Sequence, residues 1–135
     1  ISLDEGINMV IYALENAIGK EIFVPKIPSY RIMDVVKAIC PDGKVEFIGI
    51  RPGEKLHEEM ITVSDSFHTI DAGNYYIVLP TLKNEALNKY LDYYNASVVP
   101  KGFNYSSDNN TEWMTVEQIR QAIIDHVDPN FNTKS

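Results

Sequence analysis

The residues best suited to chemistry lie together in the segment Arg51-Pro52-Gly53-Glu54. Arginine presents five N–H donors in a planar fork, which matches the oxygens of a phosphate group. The Pro-Gly pair predicts a tight turn that fixes the backbone beside this arginine. Glu54 can orient the guanidinium or accept a hydrogen bond from a ribose hydroxyl. These residues fit either a site for a nucleotide's phosphates or an ordinary surface pair of Arg51 with Glu54 or Glu58, and the spacing alone favours the surface pair.

The elements that must position this turn predict a small α/β unit. Apolar residues at spacings of three and four predict a helix over 3–18, and a shorter helix over 30–39 is capped by Ser29. Apolar and β-branched residues predict strands over 21–24 and 44–50. Ligands of open α/β sheets lie outside the carboxyl ends of strands, and the second strand ends at the candidate turn.

The rest of the chain predicts a helical turn, a strand, a helix, a polar loop and a closing helix, in that order. Thr115 and Gln118 form a capping box at the start of the closing helix, which Pro129 ends. The corresponding ranges are 56–60, 75–79, 84–94, 95–112 and 115–127. We divide the chain into a substrate-binding α/β unit over 1–63, which holds the candidate turn, and a C-terminal extension over 64–135.

The first residues suggest that the natural polypeptide continues upstream. The chain has no initiator Met, and Ser2-Leu3-Asp4-Glu5 is a capping box at its very start. A helix that begins there has no preceding segment to pack on. We therefore expect a longer protein.

Composition excludes several classes of protein. The 135 residues carry a net charge of −7 (12 − 19) without a Lys/Arg stripe, which argues against binding to nucleic acid. No apolar run approaches the ~20 residues of a membrane span. Cys40 is the single cysteine, so an internal disulfide and a Cys-rich zinc site are both impossible. These features predict a cytoplasmic protein that binds neither nucleic acid nor membrane.

The chain lacks the usual motifs of catalysis. Its seven glycines form no G-x-G fingerprint, so no dinucleotide loop is present in the sequence. None of the eight tyrosines has a lysine four residues later, and no G-x-S-x-G motif occurs. Three scattered histidines give no metal-binding pattern. We therefore assign no catalytic residue, no cofactor-binding residue and no metal ligand.

A longer run around the candidate turn resembles a known enzyme family. Residues 48–60 resemble the signature of the inverting UDP-N-acetylglucosamine 4,6-dehydratases, which belong to the extended short-chain dehydrogenase/reductase superfamily and act in pseudaminic-acid and surface-glycan synthesis. Three further segments resemble neighbouring parts of that family, namely 1–17, 22–29 and 105–113. The resemblance spans nearly the whole chain and is weakest over 66–100.

The resemblance implies a two-part enzyme. An N-terminal Rossmann domain would hold NADP and the catalytic Asp, Lys and Tyr, and a C-terminal part, which this chain resembles, would bind the UDP-sugar. Arg51 would then grip the diphosphate, Glu54 would contact the nucleotide or support Arg51, and His57 and Glu58 would be structural. In the implied reaction, hydride passes from sugar C4 to NADP, water is lost across C5–C6, and hydride returns to C6 with inversion at C5.

Two other functions stay open at this point. The protein could be a related UDP-sugar epimerase or a dehydratase that retains the C5 configuration. It could instead be a stand-alone, non-catalytic module for nucleotide-sugar binding or assembly. The partners that the resemblance implies are the UDP-sugar, the protein's own Rossmann domain and further copies in a homo-oligomer.

Overall fold

The computed structural model of the chain describes residues 1–80 and 84–132. These residues form an α/β fold with two small antiparallel sheets, which confirms the predicted class. A 3₁₀ turn at Asp65–His68 precedes the third strand. The helices are α1 (Leu3–Asn16), α2 (Ile32–Ile39), α3 (Asn84–Tyr94) and α4 (Val116–His126), and the strands are β1 (Ile22–Pro25), β2 (Glu59–Ile61), β3 (Thr69–Asp71), β4 (Tyr75–Val78), β5 (Ser97–Val98) and β6 (Tyr105–Ser106).

The fold divides into two compact units, each built from two separate stretches of chain. The first unit comprises Ile1–Ile27 and Glu59–Ser106, and the second comprises Pro28–Glu58 and Ser107–Ser135. This division differs from the continuous cut at 63/64 that we predicted from the sequence. The assignment of substrate binding to 1–63 stays a prediction.

The larger sheet of the first unit has the strand order β1-β4-β3-β5, with every pair antiparallel. Successive side chains of a strand point to opposite faces, so β4 contributes to two apolar clusters. Ile77 belongs to the cluster that also contains Ile70 and Leu79, whereas Tyr76 and Val78 pack against Val24. Helix α3, which the sequence predicts, covers the first cluster with four apolar or aromatic side chains: Leu87, Tyr90, Leu91 and Tyr94.

The smaller sheet of the first unit pairs β2 with β6. Tyr105 on β6 is buried, and its hydroxyl group lies 2.9 Å from both the backbone nitrogen and the carbonyl oxygen of Ile27. The hydroxyl accepts from the N–H group and donates to the C=O group. This side chain therefore ties the sheet to the segment that follows β1.

Helix α1 begins at the predicted capping box, in which Ser2 and Glu5 satisfy each other's backbone N–H groups. One side of the helix packs on the first unit through Tyr12, whose ring stacks on that of Tyr75 with 4.7 Å between centroids. The apolar residues whose spacing predicts this helix lie on a different side. Leu3 and Leu14 are 79% and 80% exposed.

The second unit is built on a contact between α2 and α4. The capping box of Thr115 and Gln118 begins α4, as predicted. Arg120 on α4 donates to the carbonyl oxygens of Ala38 and Lys37, at 3.2 and 3.0 Å, and so satisfies free acceptors at the end of α2. Among the described helices of the chain, none combines the length and the hydropathy that crossing a membrane requires.

The predicted N-cap of α2 is wrong. Ser29 is not the N-cap of α2, because Arg31 occupies that position without a side-chain cap, and Ser29 instead forms a parallel bridge with Trp113. The backbone of Ser29 accepts from Met114 and donates to Glu112. A pair of backbone hydrogen bonds to another segment therefore replaces the local cap.

Residues 44–50 are irregular, so the predicted second strand is wrong. Phe47 and Ile48 are 85% and 72% exposed, and no strand within 1–80 and 84–132 pairs with them. Strand composition alone does not form a ladder, because each backbone N–H and C=O group needs a partner. The predicted helical turn over 56–60 is also wrong, since Leu56 and His57 form a bend that leads into β2.

Candidate functional site

The candidate site is the turn at Arg51-Pro52-Gly53-Glu54 in the second unit, and it forms as predicted. The backbone N–H group of Glu54 donates to the carbonyl oxygen of Arg51 over 3.0 Å. Gly53 has a φ of +87°, a left-handed conformation that glycine adopts without the steric penalty of other residues. The ring of Pro52 fixes that residue's own φ near the value that such turns require at the position before the glycine. The sequence thus specifies the path of the backbone beside Arg51.

The Glu54 carboxylate also stabilises the turn, through contacts with Arg51. Its Oε2 atom accepts a hydrogen bond of 2.8 Å from the backbone N–H group of Arg51. Its Oε1 atom lies 3.7 Å from Nε of the same arginine. This carboxylate therefore contacts both the backbone and the guanidinium of the residue to which we assign phosphate binding.

The guanidinium itself faces solvent. The side chains of Arg51 and Glu54 are 72% and 49% exposed, and an exposed ion pair of this kind contributes little to stability. Such a pair exchanges readily for a stronger partner, because a phosphate can accept two parallel hydrogen bonds from the guanidinium. The arrangement matches the surface ion pair of the alternative interpretation, and it also leaves Arg51 available to an anionic ligand.

The far end of the site segment is fixed by Ser107. The backbone N–H group of Ser107 donates to the carbonyl oxygen of Glu58 at 2.8 Å, and the N–H group of Glu58 donates to the Ser107 hydroxyl at 3.1 Å. The same hydroxyl lies 3.5 Å from Nδ1 of His57. These contacts favour the structural role predicted for His57 and Glu58. The sequence gives no signal for Ser107, which lies 49 residues beyond Glu58.

The predicted position of Arg51 at the carboxyl end of a strand is wrong, because residues 44–50 form no strand. The site is carried by a loop that is held at the turn by Glu54 and at its far end by Ser107. An exposed guanidinium of this kind is suited to binding an anion, and that role of Arg51 stays a prediction.

The part of the chain that the structure describes offers no cluster of three metal-ligating side chains. The connections from β1 to α2 and from β6 to α4 contain no glycine. We assign no cofactor contact to the described residues.

The fold and the candidate site together define an α/β protein with an exposed arginine on a fixed turn. A family model described as "Polysaccharide biosynthesis protein" matches residues 1–80, which is more than half of the chain. The chain belongs to this polysaccharide biosynthesis protein family.

Comparison with individual proteins confirms the resemblance predicted from residues 48–60. The chain is 42% identical over 134 residues to a UDP-N-acetylglucosamine 4,6-dehydratase (inverting) of Campylobacter jejuni, covering 95% of this chain and 39% of that protein. It is 30% identical over 130 residues to a UDP-glucose 4-epimerase of Rickettsia canadensis, covering 92% of this chain and 37% of the epimerase. The chain thus spans well under half the length of these relatives.

A solved structure shares the fold. The X-ray structure of Pen from Bacillus thuringiensis superimposes with a TM-score of 0.69 at 26% identity, covering 93% of this chain and 37% of Pen. Because 93% of this chain is aligned, the aligned residues include parts of both compact units.

Proposed function

We propose that the chain is the UDP-sugar-binding portion of a nucleotide-sugar 4,6-dehydratase that inverts C5. The observation that carries the proposal is the Arg51–Glu54 turn, which presents an exposed guanidinium on a fixed backbone. The family and the 42% identity to the Campylobacter jejuni dehydratase support the choice of substrate class. The product of such a reaction is a 4-keto-6-deoxy sugar that remains attached to UDP.

In this proposal Arg51 binds the diphosphate of the UDP-sugar. The Glu54 carboxylate accepts a hydrogen bond from the backbone N–H group of Arg51. The backbone of the arginine is therefore held in position before the ligand binds. Binding energy at the diphosphate, away from the reacting carbons, orients the sugar for chemistry elsewhere in the protein. Both residues are binding residues, and neither takes part in proton or hydride transfer.

NADP and the catalytic groups belong, in this proposal, to a Rossmann domain outside this chain. The partners we propose are therefore the UDP-sugar, that Rossmann domain, and further copies in a homo-oligomer within the cytoplasm.

The test uses the complete protein that contains this chain, assayed for conversion of UDP-N-acetylglucosamine. The Arg51→Ala variant should raise KM about 10- to 100-fold with little change in kcat, because a charge-assisted phosphate contact contributes about 1.5–3 kcal/mol. Lys101→Ala, which removes an exposed positive charge from the other unit, should leave KM unchanged. Unchanged kinetics in Arg51→Ala would remove this residue from the site.

A UDP-sugar epimerase is the second candidate, favoured by the identity to the Rickettsia canadensis enzyme. NMR of the product in deuterated water separates the two reactions. The proposed dehydratase gives a 6-deoxy-4-keto sugar with deuterium incorporated at C5, whereas a 4-epimerase gives a sugar with its C6 hydroxyl intact. The third alternative, a stand-alone binding module, predicts sub-micromolar binding of UDP to this chain by itself in calorimetry.

A further inference from the structure

The loop that carries Arg51 needs an anchor on the side that follows the turn. Residues 44–50, which lead into the turn, pair with no strand within 1–80 and 84–132. The contacts between Glu54 and Arg51 close the turn, but they are local and do not attach it to another part of the chain. The place of the guanidinium in the second unit therefore depends on the residues after the turn.

Packing gives this loop little support. Every residue of 44–58 is exposed, whereas Ser107, which contacts the end of the loop, is half-buried. A segment with few buried apolar contacts has low local stability. Specific hydrogen bonds must therefore decide where the loop lies.

The anchor after the turn is an exchange of hydrogen bonds between Glu58 and Ser107. In a regular hydrogen-bonded antiparallel pair, two opposite residues exchange two backbone N–H···O=C bonds. The N–H group of Ser107 donates to the carbonyl oxygen of Glu58 at 2.8 Å, as in such a pair, but the N–H group of Glu58 donates to the Ser107 hydroxyl at 3.1 Å. A side-chain oxygen thus takes the place of a backbone carbonyl, so this anchor depends on the residue type at 107.

The same hydroxyl also reaches the residue before Glu58. Its oxygen lies 3.5 Å from Nδ1 of His57, so one atom contacts two consecutive residues of the loop. The three peptide steps from Glu54 to His57 span at most about 11 Å. The closed turn therefore cannot move far while the Ser107 contacts hold.

We propose that Ser107 is a positioning residue of the UDP-sugar site, which sets the place of Arg51 through the loop and does not itself touch the ligand. This inference rests on the proposed function, because it takes the diphosphate as the ligand of Arg51. Preorganisation lowers the cost of binding, so loss of the anchor weakens binding although every group that contacts the ligand is still present.

The first experiment measures the Kd of UDP for the complete protein that contains this chain, by calorimetry. Ser107→Ala and Ser107→Val remove the hydroxyl, and each should raise Kd about three- to tenfold, the factor that one hydrogen bond contributes. Ser107→Thr keeps a hydroxyl and has the shape of valine, so it should bind UDP as the wild type does. Equal Kd values for the threonine and valine variants would overturn the inference.

The matched control is Ser97→Ala, which removes an exposed serine hydroxyl from β5 in the first unit and should leave Kd unchanged. Hydrogen exchange over 55–60 gives a readout that needs no ligand. Exchange there should be faster in the alanine and valine variants than in the wild type and Ser107→Thr. The same exchange rate in all four proteins would contradict the anchor.

A double-mutant cycle tests whether Ser107 acts through Arg51. The double variant Arg51→Ala/Ser107→Ala should bind UDP about as weakly as Arg51→Ala alone, because the anchor has no effect once the guanidinium is gone. Losses that simply add would mean that Ser107 acts independently of the guanidinium, which would contradict the inference.

The outcomes separate this inference from the proposed function. A complete protein in which Ser107→Val weakens UDP binding through Arg51, but which does not convert UDP-N-acetylglucosamine, supports the positioning role and contradicts the dehydratase. One that converts the sugar while the threonine and valine variants bind UDP equally well supports the dehydratase and contradicts the positioning role. A complete protein that does not bind UDP would overturn both.

Discussion

The Oε2 atom of Glu54 lies 2.8 Å from the backbone nitrogen of Arg51, across the Pro52–Gly53 turn. The carboxylate that closes the turn is therefore also the carboxylate that faces the guanidinium, with Oε1 at 3.7 Å from Nε. A ligand that takes the guanidinium need not disturb the backbone contact, because the two contacts use different oxygen atoms. The stability of the turn and the binding of a ligand by the guanidinium can therefore be tested with separate mutations.

Replacing Glu54 by alanine should weaken UDP-sugar binding through the turn. The loss of a hydrogen bond to a carboxylate costs about 1.5 kcal/mol, so KM of the complete protein should rise about tenfold. Glu54→Gln keeps an oxygen acceptor for the Arg51 N–H group and should recover most of this loss. Steady-state kinetics with the UDP-sugar provide the measurement. Equal KM values in the alanine variant and the wild type would show that the backbone contact has no role in binding.

Gly53→Ala should act through backbone strain and not through a clash. The position has a φ of +87°, and an added Cβ atom would meet nothing within 4 Å. The left-handed conformation costs about 1–2 kcal/mol for an L-residue, which should appear as a KM increase of about five- to thirtyfold in the complete protein. Gly53→Asn is the control, because asparagine tolerates this region better and should give the smaller increase. The reverse order would contradict a strain mechanism.

Tyr105→Phe should destabilise the first unit. The hydroxyl makes two hydrogen bonds of 2.9 Å with the backbone of Ile27, and each contributes about 1 kcal/mol net. Urea unfolding should therefore show a loss of about 2 kcal/mol with an unchanged m-value. Tyr93→Phe, at a side chain that is 52% exposed, should change the unfolding free energy by much less. Similar losses in both variants would show that the Ile27 contacts are not what stabilises the unit.

Glu21 should make stability depend on pH. Burial alone would raise the pKa of this carboxyl, but hydrogen bonds from its own backbone N–H group, from Gly19 and Ile18, and from the Tyr94 hydroxyl outweigh burial and lower the pKa below the ordinary 4.5. A lowered pKa in the folded state means that the carboxylate stabilises the fold above its unfolded pKa. This contribution is lost as the pH falls below about 4.5 and through the folded pKa.

The measurement is the unfolding free energy between neutral and acidic pH for the wild type and Glu21→Gln. The wild type should lose more stability on acidification than the variant, and Tyr94→Phe should lie between them because it removes one of the four hydrogen-bond donors. Glu15→Gln, on an exposed part of α1, controls for the loss of one carboxylate. Identical pH profiles for the wild type and Glu21→Gln would exclude this role.

The features predicted correctly from the sequence are those whose causes are local. The capping boxes at Ser2 and Thr115 need only residues three positions apart, and both form. The Arg51–Glu54 turn likewise depends on Pro-Gly chemistry within four residues, and it forms with the predicted pairing. These signals suffice to specify the backbone of the turn itself.

The features that the sequence could not show depend on distant partners. The predicted strand over 44–50 fails because composition does not reveal whether a neighbouring strand exists. Ser29 pairs with Trp113, and Glu58 pairs with Ser107, over separations that no periodicity encodes. For the same reason, the amphipathic pattern of α1 predicts a helix but does not show that its apolar side is turned away from the first unit.

The uncovered residues 44–50 have a practical consequence for work with this chain. The seven residues Lys-Val-Glu-Phe-Ile-Gly-Ile have high β-propensity, no proline and charges that cancel, which is the composition of segments that assemble into intermolecular cross-β structure. Their backbone groups are in no ladder, so two molecules can pair through them. We therefore expect this segment to limit the concentration at which the chain stays dispersed, and Phe47→Lys should raise that limit.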